Sequence, residues 1–242
     1  MELAGGTAVV TGAAHRVGRG IALALAGAGC DVVLHYHSSA GPAAETASEI
    51  EGCGRRVALV QADLSDPAAA PGVVEAASGL APLRVLVNSA AVFIPDTLAD
   101  VDAEGWRLTL GTNLTGPVFL TRAFAAALPG DAEGAVVNVT DWRTMRPYGD
   151  HFSYTVAKGA LDTFTRAAAV HLAPRIRVNA VALGAILPPP GRDSAYLKDL
   201  ARQIPMRRVG NPELVADAVL HLLRNDFITG EILRIDGGAH LV

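Results

Sequence analysis

The chain has 242 residues, half of them hydrophobic and 18% charged, which gives enough apolar sequence to bury a sizeable core and excludes a disordered protein. Its formal net charge is −4, and its Lys and Arg residues are scattered rather than clustered, which argues against a nucleic-acid-binding surface. A small anionic ligand is compatible with this charge.

Neither the cysteines nor the histidines form a recognisable framework. Cys30 and Cys53 lack CxxC or secreted-type spacing, so we expect two reduced structural thiols. The histidines show no HxxxH or histidine–carboxylate pattern, so we expect no metal. The N-terminus lacks a basic segment followed by a long apolar stretch, and no uncharged run approaches the ~20 residues that span a bilayer. We therefore expect a soluble, cytoplasmic protein with no membrane partner.

Short apolar runs alternate with longer alanine-rich segments of helical periodicity, which is typical of βαβ units. Strands are predicted near Thr7–Val10, Asp31–Tyr36, Arg56–Val60, Val85–Asn88, Ala135–Val139, Arg177–Ala182 and Ile232–Ile235. Helices are predicted near residues 17–28, 42–51, 67–78, 103–128, 153–172, 195–203 and 212–224. The strands are almost entirely apolar, as in parallel sheets covered on both faces. This predicts an α/β fold: one domain over residues 1–242, a Rossmann-type, doubly wound, seven-stranded parallel sheet with helices on both faces.

The first strand is followed by TGAAHRVGRG, a glycine-rich turn that opens a helix. Backbone N–H groups and the helix dipole in that position can hold a pyrophosphate. The alternative is a tight turn whose glycines serve packing only, because the spacing differs from GxGxxG.

The second strand ends in LHYHSS, without the acidic residue that commonly binds the ribose 2′-hydroxyl of NAD. His37, Ser38, Ser39 and the guanidinium of Arg16 instead favour a 2′-phosphate, because charge-assisted donors suit a dianion. We therefore expect NADP(H) rather than NAD(H). The alternative is a polar strand end with surface serines.

Tyr154 and Lys158 lie four residues apart on a predicted helix and so share one of its faces. Asp141 precedes Tyr154 by thirteen residues and lies just past the carboxyl end of the predicted fifth strand, at the edge where open α/β sheets bind ligands. The alternatives are a surface Tyr–Lys pair and an aspartate that caps a turn. Trp142, Arg143 and Tyr148 lie between these residues, where they either shape a pocket or pack.

The motifs TGAAHRVG, QADL, LVNSAA, GTNLTG, Tyr154-x-x-x-Lys158 and FITGEILRIDGG occur in the order and spacing of the short-chain dehydrogenases/reductases, which the whole chain resembles. Within that family the chain is most similar to the pteridine reductase branch, which includes dihydromonapterin and dihydrofolate reductases. Arg16 replaces the middle glycine of the family's TGxxxGxG, and Asp141 replaces its catalytic serine. Phe93 matches the branch's aromatic residue that stacks on the pterin ring.

Two further departures affect other positions. Leu183-Gly184 replaces the family's Pro-Gly after the sixth strand, and Ser89 replaces the second asparagine of its NNAG motif. The first is expected to alter a substrate loop at about residues 184–208, which contains AILPPPGRD and its three consecutive prolines. Neither departure removes a proton-handling group.

The resemblance implies that NADPH transfers hydride to a C=N bond of a pterin, dihydropterin or dihydrofolate. Tyr154 and Asp141 would pass a proton to the ring nitrogen, Lys158 would lower the pKa of the phenol and hold the nicotinamide ribose, and Asn113 would anchor a water molecule. Implied substrate contacts are Phe93, Asp141, Tyr148 and Tyr154. Implied cofactor contacts are Gly12, Arg16, Val17, Gly18, His37, Ser38, Ser39, Asp63, Leu64, Asn88, Ala90, Thr140, Tyr154, Lys158, Gly184 and Ile186.

Two other functions stay open. One is a carbonyl reductase of the same family, acting on a 3-oxoacyl thioester or a similar ketone, against which the replacement of serine by Asp141 argues. The other is a cofactor-binding sensor without turnover, which would have no need of a proton donor. By family analogy we expect a homo-tetramer or homodimer.

Overall fold

The computed structural model describes residues 1–189, 191 and 194–242. The strands are β1 (Thr7–Val10), β2 (Asp31–Tyr36), β3 (Val57–Gln61), β4 (Leu83–Asn88), β5 (Gly134–Asp141), β6 (Ile176–Leu183) and β7 (Ile232–Ile235). They form one parallel sheet in the order β3-β2-β1-β4-β5-β6-β7. The chain reverses its direction of winding between β1 and β4, which creates a crevice at the carboxyl ends of these strands.

The α-helices are α1 (Arg16–Gly27), α2 (Ala40–Gly52), α3 (Ala70–Glu75), α4 (Ala103–Leu110), α5 (Gly116–Ala127), α6 (Phe152–Leu172), α7 (Ser194–Ala201) and α8 (Pro212–Arg224). Among the described residues, no helix is both long and apolar enough to cross a lipid bilayer.

The two faces of the sheet belong to separate hydrophobic clusters. On β1, Ala8 and Val10 pack in a cluster with residues of α1 and α8, whereas Val9, which points to the opposite face, packs with α3 and α5. Phe124 on α5 is completely buried in the second cluster. Helices therefore cover both faces, and the predicted fold class is confirmed.

The predicted helix over residues 103–128 is interrupted. A wide helical turn, Gly111–Thr115, separates α4 from α5, and the N–H of Gly116 reaches back five residues to the carbonyl of Gly111. Pro117 accounts for the break, because it has no N–H to donate and its ring clashes with the carbonyl four residues earlier.

Smaller differences occur at other element ends. The helix predicted over residues 67–78 is a short 3₁₀ turn, Pro67–Ala69, followed by the six residues of α3, with Pro71 in its first turn, where a proline is tolerated. Strand β5 runs two residues beyond its predicted end to Asp141, which lies opposite Leu183 of β6. The longer strand brings the Asp141 carboxyl to the crevice.

Candidate active site

A cavity of about 970 Å³ lies at the carboxyl ends of the strands. Its walls come from the glycine-rich turn after β1, the end of β2, the segments after β3 and β4, the end of β5, the first turns of α6, the loop after β6, and α7. A cavity of this size suits a ligand as large as a nucleotide cofactor with a small substrate.

The glycine-rich turn requires its glycines. Gly12 has φ +63°, and a Cβ there would lie 2.8 Å from Cα of Ala90. A Cβ on Gly18 would collide with the carbonyl oxygen of Gly12. The turn therefore packs against the segment after β4 and leaves its backbone facing the cavity at the N-terminus of α1.

Arg16, at the family's middle-glycine position, keeps a glycine-like backbone. Its φ is +58°, in the left-handed region that costs a non-glycine residue about 1 kcal/mol. Its guanidinium donates a hydrogen bond of 2.8 Å to the carbonyl of Pro188 in the loop after β6. Arg16 thus connects the predicted cofactor turn to the predicted substrate loop.

All the predicted cofactor contacts except Asn88 line the cavity. The Asn88 side chain is buried in the sheet, where its Nδ2 donates to Oδ1 of Asn138 on β5 at 2.8 Å. Asn88 therefore joins two strands, and its predicted position in the cofactor site is corrected. Gly184 has a separate requirement, since a Cβ there would lie 2.5 Å from Cα of Asp236.

Asp141 and Tyr154 meet in the cavity. The phenol of Tyr154 donates a hydrogen bond of 3.0 Å to Oδ2 of Asp141, and Oδ1 accepts one of 2.9 Å from the backbone N–H of Arg143. Tyr154 lies in the first turn of α6, and Asp141 is the last residue of β5. The end of the strand and the start of the helix thus bring together two side chains that are thirteen residues apart in the sequence.

Burial controls the protonation of this pair. Desolvation raises the pKa of the Asp141 carboxyl, although its hydrogen bond from Arg143 and the charges of Arg143 and Lys158 oppose the shift. Desolvation and the negative charge of Asp141 raise the pKa of Tyr154 well above its usual value. The phenol therefore stays protonated and acts as a hydrogen-bond donor to the carboxyl.

Lys158 does not contact the phenol oxygen. Its ammonium group donates to the carbonyl of Val139 at 2.7 Å and lies 5.7 Å from the centre of the Tyr154 ring. Burial lowers the pKa of Lys158 to about 8, against the attraction of Asp141 and Asp162. The prediction that Lys158 lowers the pKa of Tyr154 is wrong, because desolvation and Asp141 dominate.

Asn113 lies in the wide turn between α4 and α5 and is fully buried. Its Oδ1 accepts from the backbone N–H of Val92 at 2.9 Å, and its Nδ2 donates to the carbonyl of the same residue at 2.9 Å. Asn113 does not line the cavity, whereas the adjacent Thr112 does. Its side chain fixes the segment that carries Phe93.

Aromatic and cationic side chains form the predicted substrate end, which we call the aromatic wall: Phe93, Trp142, Arg143, Tyr148 and Tyr154. The guanidinium of Arg143 lies 5.5 Å from the Phe93 ring centre and 5.1 Å from that of Tyr148. Trp142 meets Tyr148 edge to face at 5.5 Å, as Tyr154 meets Phe93 at 4.6 Å. Trp142, Arg143 and Tyr148 therefore both line the cavity and pack on one another.

His151 is a contact that the sequence analysis missed. Its imidazole stacks on Phe93 with ring centres 3.7 Å apart and an interplanar angle of 13°. His151 itself does not line the cavity, so it supports Phe93 from the side away from it. The sequence feature that could have indicated this contact is the position of His151 three residues before Tyr154. His151 also contacts Asp150, and His240 contacts Asp236.

The segment from the loop after β6 to just past α7 forms another wall of the cavity, and the sequence analysis named none of the residues of this wall. This wall consists of Leu187, Pro189, Tyr196, Leu197, Leu200, Gln203 and Ile204. All of them belong to the predicted substrate loop over residues 184–208, of which Pro190, Arg192 and Asp193 lie outside the described residues. The described part of this loop therefore lines the cavity.

A family model described as enoyl-(acyl carrier protein) reductase matches residues 12–240. The chain belongs to the short-chain dehydrogenase/reductase family. Among solved structures, this short-chain dehydrogenase/reductase is similar to FolM alternative dihydrofolate reductase 1 from Brucella canis, crystallised with NADP. The two are 35% identical with a TM-score of 0.95, over 100% of this chain and 96% of the other.

Two relatives with different named activities are similar to this chain to nearly the same degree. Pteridine reductase 1 of Leishmania tarentolae is 34% identical over 97% of this chain and 96% of its own. The granaticin polyketide synthase putative ketoacyl reductase 2 of Streptomyces violaceoruber is 37% identical over 97% of this chain and 96% of its own. The resemblance predicted from the sequence is thus confirmed, while relatives of this short-chain dehydrogenase/reductase carry names from both a pterin and a ketone branch.

Proposed function

We propose that the chain is an NADPH-dependent reductase that transfers hydride to a C=N bond of a pterin, dihydropterin or dihydrofolate. Its assignment as an oxidoreductase follows from its family. The observation that carries the finer proposal is the hydrogen bond from Tyr154 to Asp141 inside the cavity. A serine, which the family usually has at this position, does not titrate near neutral pH.

The residues at the nucleotide end fit NADPH. Gly12 and Gly18 allow the turn to pack closely and line the cavity at the N-terminus of α1, where backbone N–H groups would hold a pyrophosphate. Arg16, His37 and Ser38 line the cavity beyond the end of β2, where they would hold a 2′-phosphate. When bound, NADPH supplies the hydride.

The proton would come from the Asp141–Tyr154 pair. Reduction of a C=N bond adds hydride to carbon and one proton to nitrogen. Because the Tyr154 phenol remains protonated, it can give its proton to the ring nitrogen, and a protonated Asp141 can return one to the phenol oxygen through their hydrogen bond. The raised pKa of Asp141 increases the protonated fraction at a given pH.

The aromatic wall supports a flat heteroaromatic substrate. Phe93 lines the cavity and meets Tyr154 edge to face, so a ring stacked on Phe93 would lie next to the phenol. Tyr148 and Arg143 extend this surface. Assembly as a homo-tetramer or homodimer stays a prediction from family analogy.

A ketone reductase is the second candidate, and the ketoacyl reductase relative favours it. The two functions differ in the proton acceptor, which is a ring nitrogen in one and a carbonyl oxygen in the other. Asp141 favours the first, because a titratable acid next to the phenol suits protonation of nitrogen.

Substrate profiling tests the proposal. We expect loss of NADPH absorbance with a dihydropterin or dihydrofolate, and slower or no loss with a 3-oxoacyl thioester or a quinone. Tyr154→Phe is the control, since it keeps the ring and removes the hydroxyl, and should abolish turnover with the preferred substrate. Faster turnover of the thioester would favour the ketone reductase, and NADPH binding without turnover of any substrate would favour the sensor.

A further inference from the structure

A buried histidine, His35, lies where three segments of the nucleotide end meet. It is the fifth residue of β2, and 2% of its surface is exposed. Its Nδ1 accepts a hydrogen bond of 3.2 Å from the backbone N–H of Gly12 in the glycine-rich turn. Its Nε2 lies 3.1 Å from the carbonyl oxygen of Ala62, directly after β3. One side chain thus ties the turns that follow β1 and β3 to β2.

These two partners define the tautomer. The N–H of Gly12 can only donate, so Nδ1 must be unprotonated, and the carbonyl of Ala62 can only accept, so Nε2 must carry the proton. A doubly protonated imidazole would direct an Nδ1–H at the Gly12 N–H. That arrangement loses the hydrogen bond and opposes two donors in a site with little access to water.

We propose that His35 is a positioning residue that holds the glycine-rich turn in its cofactor-binding geometry as the neutral Nε2–H tautomer, and that its protonation weakens dinucleotide binding. The inference rests on the proposed use of NADP(H). It concerns the backbone of Gly12 rather than a direct contact between the imidazole and the reacting atoms.

The surroundings of His35 make its neutral form the resting form. Burial, reinforced by the charge of His37, lowers the pKa of His35, whereas the hydrogen bond to Ala62 raises it. Asp63 directly follows Ala62 in the chain, and the backbone N–H of Ser65 stabilises its carboxylate. The turn after β1 contacts the imidazole through the backbone N–H of Gly12.

Protonation of His35 would weaken binding of any dinucleotide as pH falls, whether or not the dinucleotide carries a 2′-phosphate. NADH has no 2′-phosphate, so its dissociation constant isolates the effect of His35.

The test measures dissociation constants of NADH and NADPH by nucleotide fluorescence from about pH 5 to about pH 8, with thermal unfolding recorded at each pH. In the wild type we expect the Kd for NADH to be constant at the upper end and to rise up to about tenfold for each pH unit below the pKa of His35. This rise must occur where the protein is still folded.

Two variants separate positioning from packing. His35→Asn places an amide oxygen close to the Nδ1 position, so it can accept from Gly12 without titrating, and we expect a Kd for NADH that no longer depends on pH. His35→Leu removes the acceptor, and we expect weaker binding at every pH. His171→Asn is the matched control, because this exposed histidine in the last turn of α6 should leave the NADH and NADPH profiles intact.

A wild-type Kd for NADH that is independent of pH while the protein stays folded would overturn the inference, even if neither His35 variant folds. So would a rise of the same size in His35→Asn. Absence of binding of both dinucleotides at every pH would instead remove the proposed function, and the inference with it.

Discussion

The phenol of Tyr154 points its proton at Oδ2 of Asp141 across 3.0 Å, inside a cavity that also contains the ammonium group of Lys158. Both acids have a raised pKa, because burial disfavours their charged forms. Lys158, with its pKa lowered to about 8, supplies a positive charge to the site at neutral pH, in addition to that of Arg143. The site therefore stores a proton on oxygen close to where a substrate nitrogen would lie.

Asp141→Ser restores the family's usual residue and tests the role of the carboxyl. A serine keeps a hydrogen-bonding group next to Tyr154 but cannot return a proton to it near neutral pH. We expect kcat with a dihydropterin to fall by about 10²-fold or more, while Kd for NADPH changes little. Asp141→Asn, which preserves shape, should behave in the same way. Equal activity of the serine variant would refute the role of the carboxyl.

Arg16→Ala tests the 2′-phosphate site. Arg16 lines the cavity at the glycine-rich turn, and a hydrogen bond to a charged group contributes about 1.5–3 kcal/mol. We expect Kd for NADPH to rise roughly ten- to hundredfold and Kd for NADH to change much less.

Arg16→Gly is the control for backbone effects, because glycine adopts the observed φ of +58° without strain. Both variants also lose the hydrogen bond to Pro188, so any effect common to NADPH and NADH reports on the loop after β6. An unchanged preference between the two cofactors would remove the phosphate-binding argument.

Much of this site is predictable from sequence because parallel sheets bring strand ends together. Asp141 at the end of β5 and Tyr154 at the start of α6 follow from hydrophobic runs and helix periodicity alone. The hydrogen-bond partners of buried asparagine side chains do not follow from such patterns. Asn88 bonds to Asn138 because β4 and β5 pair in one register, and Asn113 bonds to Val92 because a wide helical turn directs its side chain there.

The direction of the Tyr154 pKa shift could not be predicted from the sequence either. It depends on how completely the phenol is desolvated and on the geometry of Asp141, both of which are properties of the assembled structure. The same holds for His35, whose two backbone partners lie on different elements. Sequence identifies the groups, whereas packing decides which of them share a proton.

Lys158→Met should stabilise the protein while abolishing catalysis. The shift in the pKa of Lys158 from 10.5 to about 8 corresponds to a cost of about 3 kcal/mol for keeping it charged at neutral pH. Between about pH 8 and 10.5 the folded chain binds fewer protons than the unfolded one, so the contribution of Lys158 to stability rises with pH there.

We therefore expect Lys158→Met to raise Tm at neutral pH by several degrees, and the difference from wild type to shrink above about pH 8. Calorimetry at several pH values measures both effects. Lys198→Met is the matched control, because this exposed lysine on α7 should leave Tm unchanged. A lower Tm for Lys158→Met at every pH would show that the bond to Val139 outweighs desolvation.

His151→Asn tests whether the ring behind Phe93 supports the substrate surface. His151 has a left-handed backbone, φ +52°, which asparagine tolerates, so the change removes the stacked ring without straining the start of α6. An aromatic pair contributes about 0.5–1.5 kcal/mol, so we expect KM for a ring substrate to rise roughly two- to tenfold. Kd for NADPH should stay unchanged, because His151 does not line the cavity.

Phe93→Ala should raise the same KM further, since it removes the surface itself. His171→Asn is the matched control, because His171 is exposed in the last turn of α6, at the opposite end of that helix from Tyr154. An unchanged KM in His151→Asn together with a raised KM in Phe93→Ala would mean that Phe93 holds its position without His151. Unchanged KM in both would exclude Phe93 from the substrate site.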